Sequence, residues 1–324
     1  MSGPTIALAL GSGGARGYAH IGVLQELDAR GCEVVSIAGS SMGALVGGLY
    51  AADALDGYEE WVRTLSRFDV VRLLDAKLSQ PGFIKAEKIF ARVRELIGDV
   101  RIEDLAIAYT AVATDLAARK AVWFQRGSLE IAMRASISIP GVFTPIVLNG
   151  RVLVDGGIMD PLPIAPTAAD RAEFTVAVDL GGRRGAAPAS ETADEEPGEE
   201  WLDRFKQGAA HVFDRDVLRA FWRRNQGDDA QESDENDADE PQADEVAPAG
   251  LGRFDVMNQS LEAMQAVLTR YRLASYPADV LITVPKDACS SLDFHRADEM
   301  IALGRSLAVE ALDAAGIGAT AADM

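Results

Sequence analysis

Cysteine is nearly absent from these 324 residues: there are two, Cys32 and Cys289, far apart and outside any CxxC or Cys/His spacing. That pattern excludes a disulfide framework, offers no zinc site, and fits a reducing compartment. Long hydrophobic runs are missing too. The apolar stretch at residues 6–10 ends in a glycine loop, no basic n-region precedes it, and nothing approaches the roughly 20 apolar residues of a spanning helix. The expected location is the cytoplasm, at most peripheral to the inner face of a membrane. Basic charge is also in short supply, and a moderately acidic body gives no sign of the clustered Lys and Arg that phosphate contacts need, so a nucleic-acid function is set aside.

The charge that is present is acidic, a net −19, but ten of the 50 acids lie between Asp228 and Glu245, where there is no base. The remaining 40 acids face 31 bases, leaving a body of −9. Hydrophobic residues at 48% and charged residues at 25% are ordinary for a folded protein, so disorder has to be local.

Apolar runs at residues 5–10 and 33–38 flank a helical pattern at 14–30, and a second helical pattern follows at 42–52. Alternating helices and short buried strands predict an α/β fold with a mainly parallel central sheet covered on both faces. Helices are expected near 58–66 and 86–97. Strands are expected at 108–114, 120–124, 145–148 and 152–154, with Asn149-Gly150 as a hairpin turn. A helix at 128–136 and a central strand at 174–180 follow. From 181 to 250 the composition turns to Gly, Pro, Ala, Asp and Glu around one island at 201–224, which reads as an insertion. A helix at 254–271, a strand at 280–284 and a helix at 297–314 then resume the fold. The expected organisation is a core at 5–180, an insertion at 181–250, and a completing segment at 251–315.

Gly39-Ser40-Ser41-Met42-Gly43 matches G-x-S-x-G between a predicted strand and a predicted helix, where a nucleophile elbow belongs. Ser41 would project from the strand end with the helix N-terminus beneath it, where developing negative charge is favoured. A bland alternative is a Ser cap at a β-to-α turn. Upstream, Gly11-Ser12-Gly13-Gly14-Ala15-Arg16-Gly17 opens the first helix, and its amides form a ready anion site. A dinucleotide G-x-G-x-x-G fails in both frames, because Arg16 or Ser12 falls where glycine is needed, and no acid ends the second strand. The oxyanion of an acyl-transfer intermediate, held by Gly13 and Gly14, remains as the use for that loop. Arg16 reads equally as a surface cation or as a contact for an anionic head group.

A serine nucleophile needs a base, and none of the three histidines has a triad context. His20 is expected to pack beneath the loop, His211 falls in the insertion, and His295 follows the last strand. Asp155, presented at a strand end by Gly156 and Gly157, is the other candidate, provided that desolvation makes it basic enough. Most Asp-Gly pairs are plain turns; the company of the other two motifs argues otherwise here.

Those three blocks in that order resemble the patatin-like phospholipase family, as does Arg134-Ala135-Ser136-Ile137-Ser138-Ile139-Pro140 with Phe143 and Pro145. The resemblance spans about residues 5–180, and the segment from Phe254 to Arg296 is similar to bacterial members. It implies a three-layer α/β/α fold and hydrolysis of lipid acyl esters by a Ser41–Asp155 dyad with no metal or cofactor. Gly13 and Gly14 would form the oxyanion hole, with Gly39, Gly43, Arg16, Gly156 and Gly157 as supporting motif positions. The sequence departs from the family at Ser12, where glycine is usual. The same acyl-enzyme could serve a thioesterase or acyltransferase, and a regulatory or scaffold protein could keep the fold with little turnover. Aromatic and basic residues alternate through 201–224, open to two readings: a helix packed on its own core, or a lid touching a membrane.

Overall fold

The computed structural model describes residues 3–73, 87–140, 142–182 and 253–318. The expected insertion helix at 201–224, with His211, lies outside them. Residues up to 182 and from 257 onward belong to one compact unit.

The unit is built on an eight-stranded sheet. Its strands are β1 (Thr5–Leu10), β2 (Glu33–Ser40), β3 (Ala108–Asp115), β4 (Lys120–Phe124), β5 (Ile146–Leu148), β6 (Arg151–Asp155), β7 (Phe174–Gly182) and β8 (Val280–Pro285). The order is β5-β6-β3-β2-β1-β7-β8, and β4 also pairs with β3. The five strands β1, β2, β3, β7 and β8 are parallel, whereas β4, β5 and β6 are antiparallel additions at the β3 side. The mainly parallel sheet follows from the sequence pattern: β1 and β7 are near-continuous apolar runs because both of their faces are covered.

One face packs under α1 (Ala19–Ala29), α2 (Met42–Ala51), α3 (Leu55–Arg63), α5 (Glu87–Ile97), α6 (Leu129–Ser136) and α8 (Ala297–Ala314). Ile6, Leu8 and Leu10 of β1 meet Leu24, Leu45, Phe90 and Ile301 in that core. On the other face Ala9 and Ala177 are covered by Leu162, Ile164 and Leu273, the last from α7 (Arg253–Ser275). The layers are therefore α/β/α. Helices α1 and α8 approach backbone to backbone: a Cβ on Gly22 would lie 2.0 Å from the Ile301 carbonyl, and one on Gly304 2.0 Å from that of Ala19.

Local chemistry explains most element ends. Ser128 caps α6 by accepting from the Ile131 N–H, and Asn149 and Gly150 both have positive φ, 50° and 76°, as a type I′ hairpin turn requires. The structure differs from expectation in two places. The predicted first helix begins as a 3-10 turn at Gly14–Tyr18, where the Ala15 N–H donates to the Ser291 carbonyl of the loop after β8 at 2.9 Å. A further helix, α4 (Arg67–Leu73), follows α3; its short pattern is masked in the sequence by the polar residues around it.

Candidate active site

The site lies at the carboxyl end of the parallel strands, where β2 stops and α2 begins. Ser41 has φ 55° and ψ −123°, a conformation that costs a non-glycine residue on the order of 1–3 kcal/mol. Packing holds the bend. A Cβ on Gly43 would lie 2.1 Å from the Leu10 carbonyl, and one on Gly39 would strike the Gly43 backbone at 2.4 Å, so helix and strand touch only because both positions lack side chains. The Ser41 N–H donates to Ser136 Oγ at 2.9 Å, and that hydroxyl donates to the Val112 carbonyl at 2.5 Å. Ser41 sits at the capping position of α2, yet its side chain makes no capping bond.

Its hydroxyl goes instead to Asp155. Ser40 of β2 is registered with Val112 of β3, and Asp155 of β6 with Ala113, the next residue. That register brings two segments 114 positions apart in sequence to one spot: Ser41 Oγ donates to Asp155 Oδ2 at 2.5 Å. Asp155 Oδ1 accepts the Gly157 N–H at 2.7 Å, fixing the carboxylate plane. Gly156 is pressed against β3, where a Cβ would meet the Val112 carbonyl at 2.0 Å. Burial raises the Asp155 carboxyl to about 6, and the bonds from Ser41 and Gly157 pull against that rise. The group is thus ionised at neutral pH yet a stronger base than an exposed aspartate.

The glycine loop runs alongside. The Gly11, Ser12 and Ala15 N–H groups are committed to Val178, Pro161 and Ser291 carbonyls, whereas those of Gly13 and Gly14 have no acceptor among the described residues. Gly14 (φ 58°) could not carry a side chain, because the Ser291 carbonyl lies 2.4 Å from its Cβ position. His20 is fully buried beneath the loop, donates Nε2–H to the Gly11 carbonyl at 2.9 Å, and is pushed down to about 4 by burial. It is a neutral strut, as its sequence context suggested. His295 is half-buried and has no part in the Ser41–Asp155 contact.

Arg16 is neither a surface cation nor open to an anionic ligand. It is buried, its guanidinium donates to the Lys286 carbonyl at 2.7 Å, and it pairs with Glu262 at 3.2 Å. Arg16 therefore ties the glycine loop to β8 and α7. Sequence reasoning missed the partners on α7, because nothing local marks them. Besides Glu262, Arg272 pairs with the fully buried Asp160 at 3.1 Å, and Gln265 reaches the space over Gly157. One helix thus braces both the loop before Ser41 and the loop after Asp155. Ser136 is a further omission; it stood inside a recognised segment without an assigned task.

Ser41 and Gly14 open onto an apolar pocket walled by Tyr58, Trp61, Leu65, Ile137, Phe143 and Phe294. Its cavity is about 50 Å³, below the roughly 300 Å³ at which ligand pockets begin. Among the described residues no group of His, Cys, Asp and Glu could hold a metal ion, and no helix is long and apolar enough to cross a membrane.

The sequence model for patatin-like phospholipases matches residues 8–168, from β1 past Asp155. An NTE family protein of Mycobacterium tuberculosis is 49% identical over 337 aligned positions, covering 97% of this chain and 92% of the relative. The chain belongs to the patatin-like phospholipase family. Within it, lysophospholipase NTE1 of Saccharomyces cerevisiae is 33% identical over 192 residues, 58% of this chain and 11% of that much longer protein. Among solved structures, VipD of Legionella pneumophila aligns over 97% of this chain and 67% of its own, at 14% identity and a TM-score of 0.41.

Proposed function

We propose that this patatin-like protein is a serine lipid acyl hydrolase, of phospholipase, lysophospholipase or esterase type, acting through Ser41 and Asp155. The observation that carries the reading is the 2.5 Å contact between the Ser41 hydroxyl and a desolvated carboxylate, beside an apolar pocket that Ser41 lines and two amides without an acceptor among the described residues. Family membership and the lysophospholipase relatives support lipid as the substrate class.

In the acylation step Asp155 Oδ2 takes the Ser41 proton as Oγ attacks the ester carbonyl. The N–H groups of Gly13 and Gly14 receive the oxyanion, and the acyl chain enters between Trp61, Leu65 and Phe143. The Asp155 carboxyl then returns its proton to the departing alcohol, leaving an acyl ester on Ser41. In the second half Asp155 draws a proton from water as it attacks the acyl-enzyme, then passes that proton to Ser41 Oγ as the ester bond breaks, releasing a fatty acid and restoring Ser41. Because aspartate is a weak base, the preorganised amides have to carry much of the rate. No cofactor enters these steps.

The test is hydrolysis of a mixed lipid extract, with released fatty acids and lysolipids measured by mass spectrometry. Wild type releases them and Ser41→Ala does not; equal release by both removes Ser41 from the chemistry. The assay also reads out head-group and chain-length preference.

A further inference from the structure

Strands β3 to β6 carry an apolar surface that the catalytic arrangement does not use. On one face of this antiparallel corner Val122, Phe124, Ile146 and Leu148 pack around Ala113, Ala135 and Leu153. Strand alternation puts Trp123, Val147 and Val152 on the other face, and Leu116 joins them by donating its N–H to the Val152 carbonyl at 3.1 Å. All four are exposed: Val147 at 69%, Leu116 at 47%, Trp123 at 45% and Val152 at 37%. Three exposed cations flank them. Arg119 and Lys120 form no ion pair among the described residues, and Arg151 only approaches the buried Asp115 at 3.8 Å. Residues 116–126 and 146–152 contain no acid, in a chain of net charge −19.

The corner also projects in the right direction. Val112 of β3 is level with Ser40, and Ala113 with Asp155. Leu116 therefore stands about 10 Å beyond the dyad along the strand, three residues at ~3.3 Å each, past the sheet end where Ser41 lies.

We propose that this corner seats the protein on an anionic lipid bilayer. Trp123, Val147, Val152 and Leu116 enter the boundary between head groups and acyl chains, and Arg119, Lys120 and Arg151 meet lipid phosphates. An acidic body is repelled by such a surface, but fields decay over about 8 Å at physiological salt. The charges nearest the lipid decide the orientation, and here they are all positive. A second copy fits less well, since a two-fold contact would set like cations against one another. The surface is distinct from the pocket, but its use rests on a lipid substrate.

The experiment is flotation with vesicles of phosphatidylcholine alone or mixed equally with phosphatidylglycerol, with hydrolysis of a soluble short-chain ester as the basal activity. Wild type binds the anionic vesicles and not the neutral ones. Arg119→Glu with Lys120→Glu weakens that binding about 25-fold, taking roughly fivefold per cation lost, and Trp123→Ser with Val147→Ser also releases the protein. Both pairs keep native circular dichroism and unchanged ester hydrolysis. Equal binding to neutral vesicles, or unchanged binding by the variants, overturns the proposal. So does a wild-type dimer that Trp123→Ser with Val147→Ser converts to a monomer without affecting vesicle binding. Loss of ester hydrolysis in wild type would count against the hydrolase reading and leave the vesicle result intact.

Discussion

Replacing Asp155 by Asn should abolish turnover and, at alkaline pH, stabilise the fold. Burial raises the carboxyl from its ordinary value near 3.9 to about 6. The folded protein therefore binds a proton more tightly than the unfolded chain between those values. Below about pH 4 both states are protonated and the group contributes nothing. As pH rises, the unfolded chain ionises freely while the folded one must ionise a buried group, so stability falls until about pH 6 is passed. A rise of some two units corresponds to ~3 kcal/mol, fully expressed above that pH. Asn has nearly the same shape: its oxygen can still accept from Gly157, its amide can donate to Ser41 Oγ, and it carries no charge. Urea unfolding of wild type and Asp155→Asn at pH 4 and pH 8 isolates the effect. The difference also cancels Asp160, another buried carboxyl raised to about 6. The stability gap should shift in favour of Asn by about 2 kcal/mol between the two pH values, while ester hydrolysis drops about 100-fold or more. A gap independent of pH would refute the claim that burial makes Asp155 basic.

Three further outcomes follow from the same geometry. Wild-type kcat/KM on a soluble ester should fall tenfold per unit below about pH 6, and a flat profile down to pH 4.5 would contradict Asp155 as the base. Ser136→Ala strands the Ser41 N–H and the Val112 carbonyl, which should cost about 1–3 kcal/mol, or roughly 2–4 °C per kcal/mol in thermal melts, and lower kcat more than it raises KM. Gly43→Ala forces a methyl into the Leu10 carbonyl and should destabilise by about 3 kcal/mol, read as a lower urea midpoint.

The sheet and the Ser41–Asp155 contact were legible because both are written in short spans. Residues 6–10 are apolar without interruption, Val34, Val35, Ile37 and Ala38 dominate the next strand, and Gly39, Gly43 and Gly156 each mark a place where backbones touch. Asn149-Gly150 announced its hairpin for the same local reason. What escaped was the bracing from a distance. Arg16 read equally as a surface cation or as a contact for an anionic head group, yet its partner Glu262 lies 246 positions away, across a segment whose composition says nothing of where α7 will dock. Asp160 and Arg272 are hidden in the same way, 112 positions apart and paired only once α7 lies over the sheet. The raised carboxyl of Asp155 was an expectation that only burial could supply.

The central claim is that Ser41 is the nucleophile and that Asp155 activates it. Intact-mass analysis after treatment with a fluorophosphonate tests it directly. The account predicts one adduct on wild type, mapped to the peptide carrying Ser41, a much slower adduct on Asp155→Asn, and none on Ser41→Ala. An adduct of equal rate on Ser41→Ala, or on any other serine of the wild type, would contradict it.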